Sequence, residues 1–222
     1  MTDRTRHDTV IFFDWDGTLA DSMDLNYAGI EGALDRMGLP RVSREVMAAC
    51  NGPAYDASIR IVGIPPERGQ EFLRLRTECE HEALSRTQKL FPGIPAMLDG
   101  LRADATLAII SYGQMEYLTK SLALTGIGDR FVMVQGWMPG HTKGELLARL
   151  VEALQPEKAA LVGDCVGDFE AARFCRIPSL AVRYGYGHEA DWALADAAVD
   201  TVEEIPAAAL RLAEEYPARR RG

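Results

Sequence analysis

Val10-Ile11-Phe12-Phe13-Asp14-Trp15-Asp16-Gly17-Thr18-Leu19-Ala20-Asp21-Ser22 opens as an apolar run and breaks off in two carboxylates and a glycine. Four large hydrophobic side chains in a row predict a short strand buried on both faces. Gly17 permits a tight turn at the strand's exit. An Asp-Gly pair between apolar residues is also a hairpin signal, but a second strand does not follow. Met23, Tyr27, Ile30, Leu34 and Met37 recur at helical spacing, so the unit reads as strand, turn, helix. Asp14 and Asp16 then stand at the carboxyl end of a central strand, where open α/β sheets bind their ligands.

Length and composition set the bounds. The chain has 222 residues, 47% of them hydrophobic, enough for one medium domain or a domain with an insert. No stretch approaches the roughly 20 apolar residues that cross a bilayer. Residues 1–8 are polar, carry no secretory signal and are expected to lie outside the fold. Cys50, Cys79, Cys165 and Cys175 are scattered without zinc-like spacing, which reads as reduced thiols in a cytoplasmic protein. The net charge of −9 opposes non-specific binding to nucleic acid or to an anionic membrane. Arg219-Arg220-Arg221 is too short to reverse that and reads as a solvated tail. An acidic protein that acts on an anion needs a local positive centre, which a divalent metal and a lysine would supply.

Residues 21–88 are helical in pattern throughout. One helix ends at Met37-Gly38-Leu39-Pro40. Ser43 is a candidate N-cap, Asn51-Gly52-Pro53 is a break, and Pro65-Pro66 opens a long helix with Phe72, Leu73, Leu75, Cys79 and Leu84 facing inward. From Leu90-Phe91-Pro92-Gly93 onward, strands and helices alternate. Strands are expected at 106–110, 131–134, 159–163 and 179–182, with a minor one at 198–199. Helices are expected at 115–124, 143–154, 169–176 and 202–216. Repeated β-then-α units mean a doubly wound parallel sheet, an α/β Rossmann-like core. The expected division is a discontinuous core, 1–20 and 89–222, with a helical cap at 21–88.

Asp14-x-Asp16-Gly17-Thr18 after a hydrophobic strand resembles the first motif of the haloacid dehalogenase-like phosphotransferases. The extension Leu19-Ala20-Asp21-Ser22 resembles the phosphoglycolate phosphatase and β-phosphoglucomutase branches, and the helical insert matches the cap position of the former. The resemblance requires a hydroxyl after the second strand, a lysine between the third and fourth, and acids after the fourth. Ser111 in Ser111-Tyr112-Gly113, Lys143 in Thr142-Lys143-Gly144, and Gly163-Asp164-Cys165-Val166-Gly167-Asp168 fill these places in order. Taken alone, Ser111 reads as a helix cap, and the two late acids read equally as a helix N-terminus enriched in Asp. Lys143 is one of only four lysines, and Gly144 stands where many relatives have proline.

The resemblance implies a phosphatase acting through an aspartyl-phosphate. Asp14 would be the nucleophile and Asp16 the acid and base. Thr18, Ser111, Tyr112, Gly113 and Lys143 would hold the phosphoryl group. A Mg²⁺ ion would sit on Asp14, the backbone carbonyl of Asp16, Asp164 and, indirectly, Asp168. The first and fourth strands are expected side by side, bringing Asp14 to Asp164. The implied partner is a small phosphorylated metabolite, with monomer and homodimer both open. A sugar phosphomutase uses the same residues, and a non-catalytic protein on the same scaffold is the third reading. An acid at position 16 favours phosphoryl transfer over carbon–halogen cleavage. Asn51-Gly52, in a break between helices, reads first as an interhelical turn and second as a substrate-facing loop, and the glycines of Tyr184-Gly185-Tyr186-Gly187-His188 suggest a loop at the same sheet edge, with an ordinary turn as the default.

Overall fold

The computed structural model describes residues 7–217. Its centre is β1 (Thr9–Phe13), flanked by β2 (Thr106–Ile110) and β4 (Lys158–Gly163). β3 (Met133–Gln135), β5 (Ser179–Val182) and β6 (Ala197–Val199) complete a parallel sheet of order β3-β2-β1-β4-β5-β6 among the described residues. Val10 lies opposite Thr106 on one side and Ala159 on the other. The winding reverses between β1 and β4, which opens a crevice at their carboxyl ends.

The apolar run of β1 fits this central place because both of its faces are covered. Ile11 and Phe13 join one hydrophobic cluster, and Val10 and Phe12 join the other. All four are fully buried, each contributing about 1.5–3 kcal/mol, so a charge at any of them would break the core. Helices α5 (Ile94–Leu101), α6 (Met115–Thr125) and α10 (Ile205–Ala213) cover the first face, and α7 (Lys143–Leu154) and α8 (Val166–Phe174) the second. A short α9 (Glu189–Trp192) precedes β6.

Between β1 and β2 lie α1 (Met23–Met37), α2 (Arg44–Ala48), α3 (Ser58–Val62) and α4 (Gly69–Thr87). They bury a cluster of their own, with Ile30, Leu34, Met47 and Phe72 at its centre. Ser43 caps α2, its Oγ accepting from the Val46 N–H at 3.4 Å. The chain enters and leaves this segment side by side: the Asp21 N–H donates to the Lys89 carbonyl, and the Phe91 N–H to that of Leu19.

Several boundaries differ from expectation for identifiable reasons. The helix expected at 169–176 begins at Val166, because the Asp168 carboxylate accepts from the Cys165 N–H at 3.1 Å and caps it early. The helix expected at 202–216 is a 3₁₀ turn (Val202–Glu204) followed by α10. The third strand lies two residues late, at Met133–Gln135. His7 and Asp8, expected outside the fold, are tied to it: the His7 N–H donates to Thr106 Oγ1, and the Asp8 carbonyl accepts from Glu157 and Lys158. Residues 1–6 and the arginine tail at 219–221 fall outside the described residues. The four cysteines are unpaired. Among the described residues, no helix is long and apolar enough to cross a membrane.

Candidate active site

The site begins where β1 ends. The Asp14 N–H still donates to the Val162 carbonyl at 2.9 Å, so Asp14 is held at the strand's tip. The chain then folds into a turn in which the Leu19 and Ala20 N–H groups donate to the Trp15 carbonyl. Gly17 sits in it at φ +83°, and a Cβ there would collide with the Asp164 carboxylate. Left-handed backbone and close approach both demand glycine.

Asp14 and Asp16 leave this turn into different surroundings. Lys143 Nζ lies 2.7 Å from Asp14 Oδ1 and 2.6 Å from Asp168 Oδ1. Asp16 instead accepts from the Tyr117 hydroxyl at 2.6 Å, and that hydroxyl accepts from Trp15 Nε1 at 3.1 Å. Burial pushes the Asp16 carboxyl above its ordinary value, against the pull of hydrogen bonds from Ser22 and Tyr117. Burial also pushes Asp14 up, reinforced by the Asp168 and Asp164 carboxylates and opposed by Lys143.

Lys143 opens α7 behind a capping box. The Glu145 N–H donates to Thr142 Oγ1 at 3.2 Å, and the Thr142 N–H to Glu145 Oε2 at 2.8 Å. The Lys143 N–H donates to the Tyr112 hydroxyl at 2.9 Å, and Nζ stands 5.6 Å from the centre of that ring. Burial alone would lower the ammonium's pKa, but the carboxylates of Asp14 and Asp168 outweigh it and raise it. Gly144 lies against Phe174, and a Cβ there would meet that side chain at 2.9 Å. The close packing of α7 on α8 is what glycine, in place of proline, accommodates here.

Asp164 is fully buried at the end of β4. It accepts from the Tyr186 N–H at 2.7 Å, the Cys165 thiol at 3.1 Å and the Thr18 hydroxyl at 3.3 Å. Burial and the neighbouring Asp168 push its carboxyl up to about 7. Asp168 Oδ2 accepts from the Asp164 and Cys165 N–H groups. Asp14, Asp164 and Asp168 each bring an oxygen within 4.8 Å of the others. An all-oxygen donor set suits a hard cation such as Mg²⁺. Three buried carboxylates against one lysine also leave negative charge for such an ion to balance. The residues therefore fit the metal. The Asp16 side chain is not in this group.

A cavity of about 80 Å³ opens above these residues, lined by Asp14, Asp16, Ser111 and Lys143 and, from the helical segment, by Asn51 and Arg76 among others. Ser111 Oγ accepts from the Gly113 N–H at 2.9 Å, and Ser111, Tyr112 and Gly113 all line the cavity. Thr18 does not line it. The turn at Gly17 rotates that side chain inward, where it is fully buried and holds Asp164. Asn51 and Gly52 are more than an interhelical turn, since both line the cavity.

Tyr117, Arg76 and Glu80 line the cavity outside any motif of the sequence, and the 184–188 loop does more than turn the chain. That loop clasps Asp164 through the Tyr186 N–H, while Trp192 Nε1 donates to the Asp164 carbonyl at 3.0 Å. A Cβ on Gly187 would strike the same carbonyl, and the run of glycines was the only visible sign. Arg76 and Glu80 did carry a signal. They form an opposite-charge i,i+4 pair on the stripe that holds Phe72, Leu75, Cys79 and Ala83.

The profile of the family described as haloacid dehalogenase-like hydrolase matches residues 11–182. The phosphoglycolate phosphatase of Synechococcus elongatus is 29% identical over 179 residues, covering 79% of this chain and 84% of that one. The tyrosine-protein kinase PtkA of Mycobacterium tuberculosis is 26% identical over 184 residues, covering 80% of this chain and 63% of that one. A haloacid dehalogenase-like family hydrolase structure from Streptococcus pneumoniae superposes with a TM-score of 0.84 at 23% identity, covering 90% of this chain and 97% of that one.

Proposed function

The chain is a hydrolase of the haloacid dehalogenase-like family, and from that premise we propose that it is a Mg²⁺-dependent phosphatase of small phosphomonoesters, working through a phosphorylated Asp14. The observation that carries the reading is the divergence of Asp14 and Asp16. Two carboxylates from one turn face one cavity, one paired with a buried lysine and the other held by a tyrosine hydroxyl. That is a nucleophile beside an acid.

In this mechanism a carboxylate oxygen of Asp14 attacks phosphorus and the ester oxygen leaves. Asp16, with its raised pKa, carries the proton that the leaving alkoxide needs. Asp16 then takes a proton from the water that attacks the aspartyl-phosphate, which frees phosphate and restores Asp14. Lys143 and Ser111, with the N–H groups around Tyr112 and Gly113, hold the phosphoryl oxygens. Asp14, Asp164 and Asp168, with the Asp16 carbonyl, would hold the Mg²⁺. Bound there, the ion neutralises the clustered carboxylates and the phosphoryl charge. Thr18, Tyr186 and Cys165 orient Asp164.

Residues 21–88 serve as a cap on a core formed by 1–20 and 89–222. The cap shields the site from water and meets the leaving group. Support comes from its separate hydrophobic cluster, its paired entry and exit segments and its share of the cavity lining. Phosphoglycolate, named in relatives such as the S. elongatus enzyme, heads the candidate substrates. The unpaired cysteines suit the cytoplasm.

The test is phosphate release from a panel of small phosphomonoesters, with Mg²⁺ and with chelator, using Asp14→Asn as the blank. The expected outcome is metal-dependent release that falls on the order of 10⁴-fold or more in the blank, with the melting temperature retained. Substantial residual release from Asp14→Asn would remove Asp14 as nucleophile. Turnover only in the presence of a sugar bisphosphate would make the protein a mutase.

A further inference from the structure

One wall of the cavity is α4, and it carries charge where a helix packed on its neighbours should carry none. Arg76 is 5% exposed. Its Nε donates to Glu80 Oε1 at 2.8 Å and its Nη2 to Asn26 Oδ1 at 3.0 Å. The guanidinium carbon stands 4.2 Å from the centre of the Tyr55 ring, and the Tyr55 hydroxyl donates to Glu80 Oε2 at 2.9 Å. Arg76 is thus fixed on three sides. Its fourth, Nη1, is buried and has no acceptor among the described residues.

Farther along the same helix, His81 also lines the cavity. Its Nδ1 lies 3.4 Å from Lys120 Nζ and 3.7 Å from Glu116 Oε1. An ammonium can only donate, so contact with Lys120 puts the ring proton on Nε2. In that tautomer Nε2 is an N–H donor, and it too is buried with no acceptor among the described residues. Buried donors without partners are rare and call for an explanation.

We propose that Arg76, with His81 as a second donor, is the specificity residue for the leaving group, and that it receives a carboxylate on the organic part of the substrate. The assignment rests on the phosphatase reading above for the place of the phosphoryl group. An acceptor-bearing anion is preferred to a polyhydroxylated group because this wall has spare donors while its acceptors are engaged. Both Glu80 oxygens and the Asn26 carbonyl oxygen are already taken. A hydroxyl-rich ligand would need both kinds of group. Glu80 and Asn26 hold Arg76 in place and leave Nη1 as the donor without a partner, the group an oxyanion would engage.

Calorimetric binding to the Asp14→Asn protein with Mg²⁺ tests this without turnover. The probes are phosphoglycolate, ethyl phosphate, in which a methyl group replaces the carboxylate, and inorganic phosphate. Phosphoglycolate is expected to bind about 30-fold more tightly than ethyl phosphate. Arg76→Met alone would strand Glu80, so the variant of choice is Arg76→Met with Glu80→Met, which removes the buried pair together. In it the preference is expected to shrink to about twofold or less, while inorganic phosphate loses less than about threefold. Arg76→Lys, which can still pair with Glu80, should retain an intermediate preference. Equal affinity for the two esters in the parent would overturn the proposal, as would a preference that survives the double change. A parallel loss of all three ligands would do so as well, by making Arg76 merely structural. Absence of phosphate release from wild-type protein that still prefers phosphoglycolate would instead overturn the phosphatase reading and leave this one standing.

Discussion

The floor and the roof of the cavity are both buried and both charged, yet they are built by opposite means. The floor collects Asp14, Asp164 and Lys143 from β1, β4 and the start of α7. Burial, reinforced by unbalanced charge, pushes its carboxylates toward their protonated forms. The roof draws Arg76 and Glu80 from a single helix and pairs them at 2.8 Å, so its charges cancel. The unbalanced floor has work left for a cation and a phosphoryl group. The balanced roof has only directional hydrogen bonds to offer. Under the proposed function, chemistry therefore belongs to the floor and discrimination to the roof.

The sharpest way to break that division is Asp16→Ala, which attacks the floor without touching the metal carboxylates. Turnover of alkyl phosphates is expected to fall about 10²–10⁴-fold, and that of aryl phosphates, whose leaving groups need no proton, by far less. Equal losses for both would deny Asp16 its acid role. The parent's preference for a carboxylate-bearing ester should meanwhile survive, because the roof is intact.

Lys143→Met tests the imbalance itself. Asp14 and Asp164 have folded pKa values above the ordinary 3.8. A group raised in this way contributes most below its unfolded pKa and loses that contribution as pH rises through its folded pKa, about 7 for Asp164. Metal-free protein should thus melt lower at pH 8 than at pH 5.5, and Mg²⁺ should restore part of the difference at pH 8. Without Lys143 the difference should widen, by up to about 3–5 kcal/mol for the stranded carboxylates. A chelated protein whose melting point rises over that interval would contradict the charge assignment.

Tyr186→Phe probes the joint between the two regions and should have the smallest effect. The hydroxyl accepts from the Met23 N–H at 2.9 Å and donates to Asp21 Oδ1 at 3.2 Å, whereas the backbone N–H serves Asp164. Loss of the hydroxyl should cost about 1 kcal/mol of stability by denaturant titration, with Mg²⁺ affinity nearly unchanged. A large loss of metal affinity would mean that the loop moves as one piece with the cap's entry.

The floor was legible in the sequence because strand ends announce themselves. An apolar run stops, and the next polar residue must face the crevice, so Asp14, Ser111 and Asp164 could each be placed from a short local pattern. The parallel sheet followed from the alternation of strands and helices, and the adjacency of the first and fourth strands from the family resemblance. The roof was far less legible, since which helical residues meet depends on how α1 and α4 are rotated against each other. Asn26 and Arg76 lie fifty positions apart and touch, and no periodicity announces that contact. Thr18 was read from the correct turn, but its burial against Asp164, away from the cavity lining, is set by three-dimensional packing that no local pattern shows.

The central position of β1 has a consequence for the chain as it is made. Its partners are residues near 106 and 159, so Val10 to Phe13 are made nearly a hundred residues before the strand that covers one edge and about 150 before the strand that covers the other. The helical segment meanwhile has its own cluster to fold around. A chain cut short before Lys158 would present an almost wholly apolar strand with one edge bare, a ready template for aggregation. The same four residues that position Asp14 thus leave β1 dependent on the synthesis of β4.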